Sequence, residues 1–358
     1  MKIQDLLINL IRYKTVEKNK DELKNIIYFC YDYLKQNDLL RFDIFDVNEK
    51  WNLIADFGTD VDVYFVAHLD VVDAMDEQFE PKIEGDRIIG RGALDMKGPA
   101  SVVIELFKNI KRVLPIGLIL TTDEEVGSQN GVKYIVENKK INAKLVIIPD
   151  GGENFKIITK GKGAFHFVVK STGKSAHGST PWLGFNAIDN IIAFYEKLKE
   201  IIMLNENTHD NSHWHNTINL GKIEGGQKVN IVAPEAQAHI DIRFTEKYTL
   251  EEIANLVNYL AKKFGLDLQV LSVGQPVISN TESVYFKKFI DSYRKFLGEP
   301  VFDVEHGATD GRFFASLSIP VITIYPIGGG IHSDNEWVDI NSLHKLYDLF
   351  NYFVQNLL

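Results

Sequence analysis

The sequence predicts an α/β protein with a mostly parallel central sheet and an inserted, smaller two-layer α+β domain. Two patterns lead to this prediction. Four nearly continuous apolar runs have the length of short buried strands and alternate with helical patterns, as in a parallel sheet that is covered on both faces. The middle of the chain instead follows the order strand, helix, strand, strand, helix, strand, which is the split βαβ pattern of a small sandwich.

The four apolar runs define the larger predicted domain. They are residues 63–69, 117–122, 145–149 and 319–325, with helices predicted at 99–113 and 131–138. A chain of 358 residues is long for one compact core, because single cores stop growing at about 250–300 residues. We therefore expect this domain to use the chain on both sides of the insertion, residues 1–161 and 276–358.

The inserted domain is predicted to cover residues 162–275. Its predicted strands are 164–171, 217–223, 236–244 and 266–273, and its predicted helices are 186–203 and 250–264. Polar and apolar residues alternate along the third strand, so His239, Asp241 and Arg243 are expected to share one face.

Composition argues against several classes of protein. The formal net charge of −10 argues against a nucleic-acid partner, because such proteins usually present a basic face. Cys30 is the only cysteine, which excludes an internal disulfide and leaves no cysteine pair for zinc. The first apolar residues follow helical spacing with polar interruptions, unlike a signal peptide, and no apolar run approaches the length of a membrane span. We expect a soluble protein of the cytoplasm.

Histidines and carboxylates follow the predicted core strands at the point where each strand ends. The side chains are His68, Asp70, Asp123, Glu124, Glu125 and Asp150, and the fourth strand continues through a glycine loop into His332. In open parallel sheets, ligands bind at the carboxyl ends of the strands. The four strands therefore deliver imidazole and carboxylate groups to one edge of the sheet.

Imidazole nitrogen with carboxylate oxygen, and no thiolate, suits catalytic zinc. One tetrahedral site that keeps a position open for water needs fewer ligands than the two histidines and several acids found here. Two metals bridged by a carboxylate would use all of these ligands. The candidate bridge is Asp95, which lies in a glycine-containing turn at residues 90–98. Each feature alone also fits a surface histidine, a solvated helix start or a helix cap, and only their joint placement indicates a site.

Seven motifs resemble one family, the co-catalytic di-zinc peptidases and deacylases. That family includes carboxypeptidase G, aminoacylase, acetylornithine deacetylase, succinyl-diaminopimelate desuccinylase and bacterial dipeptidases. The motifs are HLD at 68–70, GRG at 90–92 with DMKG at 95–98, DEEVG at 123–127, GKSAHG at 173–178, GG at 225–226 with Asn230, DIR at 241–243, and IHS at 331–333. The resemblance implies a catalytic zinc-hydrolase domain and an inserted lid domain that also forms a homodimer.

The resemblance also implies a ligand set for two Zn²⁺ ions, with Co²⁺ or Mn²⁺ as substitutes. Asp95 would bridge both ions, the first ion would be completed by His68 and Asp150, and the second by Glu125 and His332. Asp70 would orient His68, and Glu124 would act as the general base. The peptide bond between Asp95 and Met96 is expected to be cis, as in related enzymes.

Substrate-binding roles follow from the resemblance as well. His177 would stabilise the oxyanion, Arg243 would pair with a substrate carboxylate, and Asn230 would hydrogen-bond the substrate. Gly329, in the run 328–330, would let the main chain approach it closely. In related dimers, His177 and Asn230 act in the neighbouring subunit. Without the resemblance, we would interpret His177 as a histidine on the surface of the lid, Arg243 as a strand residue in a salt bridge, and Asn230 as a turn residue.

The sequence departs from the family pattern in two places, and one of them bears on the substrate. Asp150 stands where aminoacylases and desuccinylases typically carry glutamate, while dipeptidases and tripeptidases typically carry aspartate. The sequence therefore favours cleavage of an amide bond in a small peptide with a free carboxylate, and an N-acyl amino acid deacylase is the alternative. The first motif of the family usually continues to a proline, whereas here Asp70 is followed by Val71, Val72 and Asp73, which concerns only the local turn.

Three other interpretations are less favoured by the sequence. A nucleotide-binding α/β protein would show a strand leading into a glycine-rich phosphate loop, and none does. A catalytically silent family member would lack a ligand or the base, and all are present. A second metal site is suggested by His209, Asp210, His213 and His215, but this stretch is polar and turn-rich, and we expect a mobile loop.

Overall fold

The computed structural model describes residues 2–204, 206, 213–307 and 309–357. The chain divides into two compact units. The larger unit comprises Met1–Lys160, Ile278–Glu305 and Thr309–Leu358, and the smaller unit comprises Gly161–Val277 with His306–Ala308. Each unit has its own hydrophobic core. The predicted fold class is confirmed: one sheet is mostly parallel, and a separate antiparallel sheet belongs to the smaller unit.

The helices and strands of the described residues are numbered here in chain order. The helices are α1 (Ile3–Arg12), α2 (Lys20–Leu34), α3 (Lys97–Asn109), α4 (Val132–Asn138), α5 (Ala187–Ile202), α6 (Leu250–Lys263), α7 (Val284–Leu297), α8 (Gly311–Ala315) and α9 (Ile340–Gln355). The strands are β1 (Arg41–Val47), β2 (Lys50–Asp56), β3 (Val63–His68), β4 (Lys82–Glu84), β5 (Arg87–Ile89), β6 (Ile116–Thr121), β7 (Leu145–Ile148), β8 (Ile157–Gly161), β9 (Gly163–Thr172), β10 (Thr217–Gly225), β11 (Glu235–Phe244), β12 (Asp267–Gly274), β13 (Val277–Ile278), β14 (Phe302–Glu305), β15 (Val321–Thr323), β16 (Gly328–Gly329) and β17 (Trp337–Asp339).

The central sheet has the strand order β1-β2-β6-β3-β7-β15-β8-β13, with β14 paired to β8. Its four middle strands, β6, β3, β7 and β15, run parallel, whereas β2 and β8 join them antiparallel. All residues of these four strands are buried, which explains why each reads as a continuous apolar run. Because they are parallel, their carboxyl ends share one edge of the sheet.

Helices pack on the central sheet through a shared aromatic core. Phe65 of β3 contacts Phe107 of α3 and Phe350 of α9 edge to face, with ring centroids 5.9 and 5.2 Å apart. Such aromatic pairs contribute roughly 0.5–1.5 kcal/mol each beyond the area that they bury.

The N-terminal apolar residues form a buried face of helix α1, made up of Ile3, Leu6, Leu7, Leu10 and Ile11. No helix among the described residues is both long and apolar enough to cross a membrane.

The smaller unit contains an antiparallel sheet of order β10-β11-β9-β12, and α5 and α6 pack on it. Its elements follow the predicted order along the chain. In β11, the residues Ile240, Ile242 and Phe244 are buried in the core with these helices. The residues that alternate with them, among them Asp241 and Arg243, lie on the opposite face and are half-buried, as the period of two predicts.

Two features of the larger unit differ from the sequence-based expectation. A four-stranded sheet of order β16-β17-β5-β4 was not predicted, because strands of two or three residues are too short to show a period of two. The apolar run 319–325 forms a strand only over Val321–Thr323. Beyond it, Tyr325 exchanges main-chain hydrogen bonds with Gly152 and Phe155 instead of continuing the ladder.

Candidate metal centre

Three of the parallel strands and the turn before α3 deliver most of the polar residues that the sequence singled out, whereas His332 does not follow the fourth parallel strand, β15, directly. His68 is the last residue of β3, Asp150 comes two residues after β7, and Asp95 precedes α3. Glu124 and Glu125 begin a single-turn 3₁₀ helix after β6. That turn ends at Gly127, whose φ of 99° is readily adopted only by glycine and whose N–H donates to the carbonyl of Glu124 across 2.8 Å.

His332 reaches the same region from the loop after β16. Its φ of 60° is in the left-handed region, which is uncommon for a residue other than glycine. Gly330, two residues earlier, has a φ of 74°. The loop therefore turns twice through a left-handed conformation around the histidine, and such outliers are concentrated at functional sites.

The structure brings His68, Asp95, Glu125, Asp150 and His332 together. Within the part of the chain that is described, they form two groups able to hold a metal ion, one with His68, Asp95 and Asp150 and one with Asp95, Glu125 and His332. In each group the possible ligand atoms all lie within 4.8 Å of one another. Asp95 is the one member that the two groups share.

The two carboxylate oxygens of Asp95 face different histidines. Oδ1 lies 3.1 Å from Nε2 of His68, and Oδ2 lies 3.1 Å from Nε2 of His332. The second histidine is also 3.3 Å from Oε1 of Glu125, while Nε2 of His68 is 4.0 Å from Oδ2 of Asp150. The peptide bond between Asp95 and Met96 is cis, as expected.

Close packing of like and opposite charges shifts the pKa values of these groups. The hydrogen bond to Asp95 and the nearby negative charge of Glu125 raise the pKa of His332 to about 10, although burial opposes them. Burial lowers the pKa of His68, but its bonds to Asp70 and Asp95 raise that pKa more, to well above the usual value. Burial, together with the charge of Asp95, raises the pKa of Asp150 to about 7. The cluster therefore holds several carboxylates close together, and a positive charge between them would stabilise their ionised forms.

Asp70 lies behind the cluster and touches two of its members. Its main-chain carbonyl accepts a hydrogen bond from Nδ1 of His68 at 3.1 Å, and its Oδ1 lies 3.5 Å from the same nitrogen. Its Oδ2 accepts the main-chain N–H of Glu125 at 3.0 Å. Asp70 is 2% exposed, so these contacts are sheltered from water.

Glu124 belongs to neither metal-binding group. Burial raises its pKa well above the usual value, and the charge of Asp310 raises it further. Asp310 is itself buried and accepts a hydrogen bond from the hydroxyl of Ser128, and Arg312 donates to the carbonyl of Gly127 at 3.3 Å. The segment 309–312 thus packs against the turn that carries Glu124.

Two buried residues at the cluster were not singled out from the sequence. The hydroxyl of Tyr325 donates to Asp150, and it also lies 3.2 Å from Oδ1 of Asp95. The carboxylate of Glu336 accepts the main-chain N–H of Asp95 at 2.9 Å. A tyrosine at the end of an apolar run and a glutamate four residues after His332 carry no periodic signal of their own.

The other predicted substrate-binding residues lie in two places. Gly329 belongs to the larger unit, where β16 pairs with β17, and a Cβ there would come within 3.2 Å of Nε1 of Trp337. His177 and Asn230 belong to the smaller unit and lie in adjacent segments, because Gly178 N–H donates to the carbonyl of Asn230 at 2.8 Å. Nδ1 of His177 lies 2.8 Å from the hydroxyl of Ser179.

Arg243 has an acidic partner within its own strand. Its Nε lies 3.0 and 3.2 Å from the two oxygens of Asp241, and its side chain is 25% exposed. Asp241 in turn lies 2.9 Å from Nε2 of His166, which has Ser272 on its other ring nitrogen at 3.0 Å. The guanidinium is therefore held along its Nε edge.

The histidine-rich stretch before β10 is only partly described. His209 and Asp210 lie outside the described residues. His213 and His215 have ring centroids 6.4 Å apart, and Nδ1 of His215 bonds the carbonyl of Asn216 at 2.8 Å. Neither belongs to a metal-binding group of the described residues.

The cluster of the larger unit fits divalent metal ions. Each group offers one imidazole nitrogen and two carboxylate oxygens, the donor set that suits catalytic zinc. Oε1 of Glu125 is buried and lies 3.3 Å from Nε2 of His332 without a well-formed hydrogen bond, which is costly unless a cation satisfies it.

Comparison with known proteins decides the family. The sequence profile of the peptidase family M20/M25/M40 matches residues 64–356. The chain belongs to this family. Like other M20 members, it is a hydrolase of amide bonds, in a family of metallopeptidases and deacylases that use bound metal.

Relatives of this M20 chain carry different activities in their names. A succinyl-diaminopimelate desuccinylase of Acinetobacter baumannii is 26% identical over 335 residues, which are 87% of this chain and 87% of that protein. Similar solved structures include the metallo-carboxypeptidase Sso-CP2 of Sulfolobus solfataricus (TM-score 0.80, 20% identity, 99% of each chain). Another is the aminopeptidase PepT of Bacillus cereus (TM-score 0.76, 20% identity, 99% of this chain and 97% of that one).

Proposed function

We propose that this M20 chain is a di-zinc hydrolase that cleaves an amide bond in a small peptide with a free carboxylate. The observation that carries the proposal is the position of Asp95, whose two oxygens each lie 3.1 Å from a different histidine. A carboxylate shared in this way suits a bridge between two ions. Asp150, an aspartate where deacylases of the family typically carry glutamate, favours the peptide substrate.

The proposed ligands divide into the two observed groups. His68, Asp95 and Asp150 would hold one ion, and Asp95, Glu125 and His332 the other. Zn²⁺ is the proposed metal, with Co²⁺ or Mn²⁺ as substitutes. When bound, such ions would polarise the scissile carbonyl and lower the pKa of the attacking water.

The proton transfers are assigned to Glu124. It neighbours Glu125 along the chain but belongs to neither ligand group, so its carboxylate remains available to the attacking water. Its raised pKa suits a group that first takes a proton from water and then gives it to the leaving amine. Asp70 would keep His68 oriented, because it contacts the nitrogen that faces away from Asp95.

Substrate binding is proposed for residues of both units. Arg243 would bind the free carboxylate through its terminal nitrogens, because Asp241 occupies its Nε edge. His177 would stabilise the oxyanion, Asn230 would hydrogen-bond the substrate, and the main chain at Gly329 would lie against it. These assignments come from the family resemblance.

The second candidate function is an N-acyl amino acid deacylase. It is favoured by the match to a desuccinylase over 87% of both chains. The two functions differ only in the group on the acyl side of the scissile bond. A panel of dipeptides and tripeptides against N-succinyl and N-acetyl amino acids, assayed with added zinc, separates them. Higher kcat/KM on the acyl compounds would replace the peptidase proposal, and no hydrolysis of any amide would contradict both.

We also propose that the chain forms a homodimer through the smaller unit and works in the cytoplasm. Among the described strands of that unit's sheet, β10 lies at the edge and pairs with β11 alone, and the apolar side chains of Trp182, Leu183 and Phe185 are exposed. In such a dimer, His177 and Asn230 would serve the neighbouring subunit, as in related enzymes. Light scattering on the purified protein tests the assembly, and a monomer at micromolar concentration would contradict it.

A further inference from the structure

A single buried carboxylate holds the main chain that carries Asp95. Glu336 precedes β17 and is 1% exposed. Its Oε1 accepts the N–H groups of Leu94 and Asp95, both at 2.9 Å. Its Oε2 accepts Nη1 of Arg91 at 2.8 Å and the N–H of Gly92 at 3.0 Å.

These contacts satisfy four donors of one turn. Buried N–H groups without partners cost free energy, and here three in one turn converge on one carboxylate. The negative charge of Glu336 is matched by Arg91, whose side chain is 3% exposed, and by the N–H dipoles. The main-chain carbonyl of Glu336 adds a bond from Gly90 N–H at 3.0 Å, so the turn is tied to this residue by five hydrogen bonds.

The position of Glu336 along the chain connects both halves of the cluster. It lies four residues after His332, and its bonds fix the turn that carries Asp95. Asp95 is the member common to both metal-binding groups. A shift of this turn would therefore move one ligand of each group at once, whereas a shift of His332 would move a ligand of one group only.

We propose that Glu336 is a positioning residue, which places Asp95 for both metal positions before either ion binds. The inference rests on the proposed function, because it takes the two groups as metal sites. The competing explanation is that Glu336 stabilises only the loop of the small sheet. If that explanation holds, replacing Glu336 leaves the metal affinity of both positions unchanged, or lowers only the affinity of the position that uses His332.

Glu336→Gln is the first test, with Glu105→Gln as the matched control. The amide nitrogen of glutamine would face N–H donors on one side of the turn, so at least one pair of bonds is lost. Glu105 is 8% exposed and accepts hydrogen bonds from the side chains of Tyr33 and Asn109 within the larger unit, but it belongs to neither metal-binding group. Removal of its charge therefore reports the cost of disturbing a buried carboxylate elsewhere in the core.

Zinc affinity is measured by chelator competition, and hydrogen exchange of residues 90–96 is measured on the metal-free protein. We expect Glu336→Gln to bind both ions about 10–100-fold more weakly, as for other groups that orient metal ligands, and to exchange faster in this segment. Glu105→Gln should lower the melting temperature with unchanged zinc affinities. If Glu336→Gln does not fold, Glu336→Asp serves, because it keeps the charge but is one methylene too short to reach all four donors.

Two results would overturn the inference. One is unchanged affinity at both positions in the folded variant, and the other is weakening confined to a single position. Failure of the proposed function looks different, because the wild-type protein would then not bind two equivalents of zinc.

Discussion

The main-chain N–H of Glu125 donates to Oδ2 of Asp70 across 3.0 Å, between residues 55 positions apart in the chain. The other oxygen of Asp70 lies 3.5 Å from Nδ1 of His68. One buried carboxylate thus contacts a member of each metal-binding group, at the ends of the adjacent parallel strands β3 and β6.

Asp70→Asn should weaken metal binding at both positions by about tenfold and lower kcat, because it removes the charge that orients His68 and disturbs the bond to Glu125. Zinc titration with a competing chelator measures the first effect. Asp73→Asn is the control, since that carboxylate lies in the same loop with 73% of its side chain exposed. Equal behaviour of the two variants would show that Asp70 does not act on the ligands.

Glu124→Gln should retain two equivalents of metal and lower kcat by at least roughly a hundredfold, because it removes only the group that moves the proton. Glu125→Ala should instead lose affinity at one position, since it removes a proposed ligand. Metal content and single-turnover rates distinguish the two variants. If Glu124→Gln loses zinc and regains full activity when zinc is resupplied, the roles of the two glutamates are reversed.

Arg243→Ala should raise KM far more for a substrate with a free α-carboxylate than for its amidated analogue. The reason is that the proposed clamp recognises the two oxygens of that carboxylate. Arg243→Lys should restore little, because an ammonium cannot reproduce the two-pronged contact. Because Asp241 binds Arg243 within β11, a purely structural role predicts equal losses on both substrates and a lower melting temperature.

The stability of the metal-free protein should depend on His332. Its pKa is raised to about 10 by Asp95 and Glu125, so the protonated form stabilises the fold. This contribution is complete below the usual histidine pKa of 6.5 and is lost as the pH rises through about 10. The difference in melting temperature between the wild-type protein and His332→Gln, both metal-free, should therefore shrink from pH 6 to pH 10. A constant difference would contradict the ion pair.

Zinc should stabilise the folded protein, because the bound ions would neutralise the carboxylates of the cluster and remove the repulsion between them. At a free concentration of a thousand times Kd, one ion adds about 4 kcal/mol to the free energy of unfolding. Chelation should lower the melting temperature, and zinc should restore both stability and activity. The Asp95→Asn variant should respond least, since its residue belongs to both groups. An unchanged melting temperature after chelation would argue against metal at this site.

Several elements could be predicted because their pattern is local. The run at 63–69 became β3, and the run at 145–149 became β7, since a strand buried on both faces needs apolar residues throughout. The alternation around Arg243 identified both faces of β11. The polar residues at the strand ends were found by the same reasoning, because parallel strands end at one edge of a sheet.

Other features depend on contacts between distant segments. The bonds of Glu336 span more than 240 residues, and the small sheet pairs β17 with β5 through strands of three residues each. Neither leaves a repeating pattern in the sequence. The strand predicted at 319–325 is longer than the observed one, because an apolar run indicates burial and not pairing in a sheet. Tyr325 is buried at the metal-binding cluster, where its hydroxyl donates to Asp150.

The sequence by itself determined the fold class, the family and which side chains meet at the sheet edge, because periodicity and motifs are properties of neighbouring residues. Only the tertiary structure decided that the two oxygens of Asp95 face different histidines, and that Asp70 and Glu336 hold the segments that carry them. Such contacts require positions fixed to within an ångström, and these are set by packing between elements far apart in the chain.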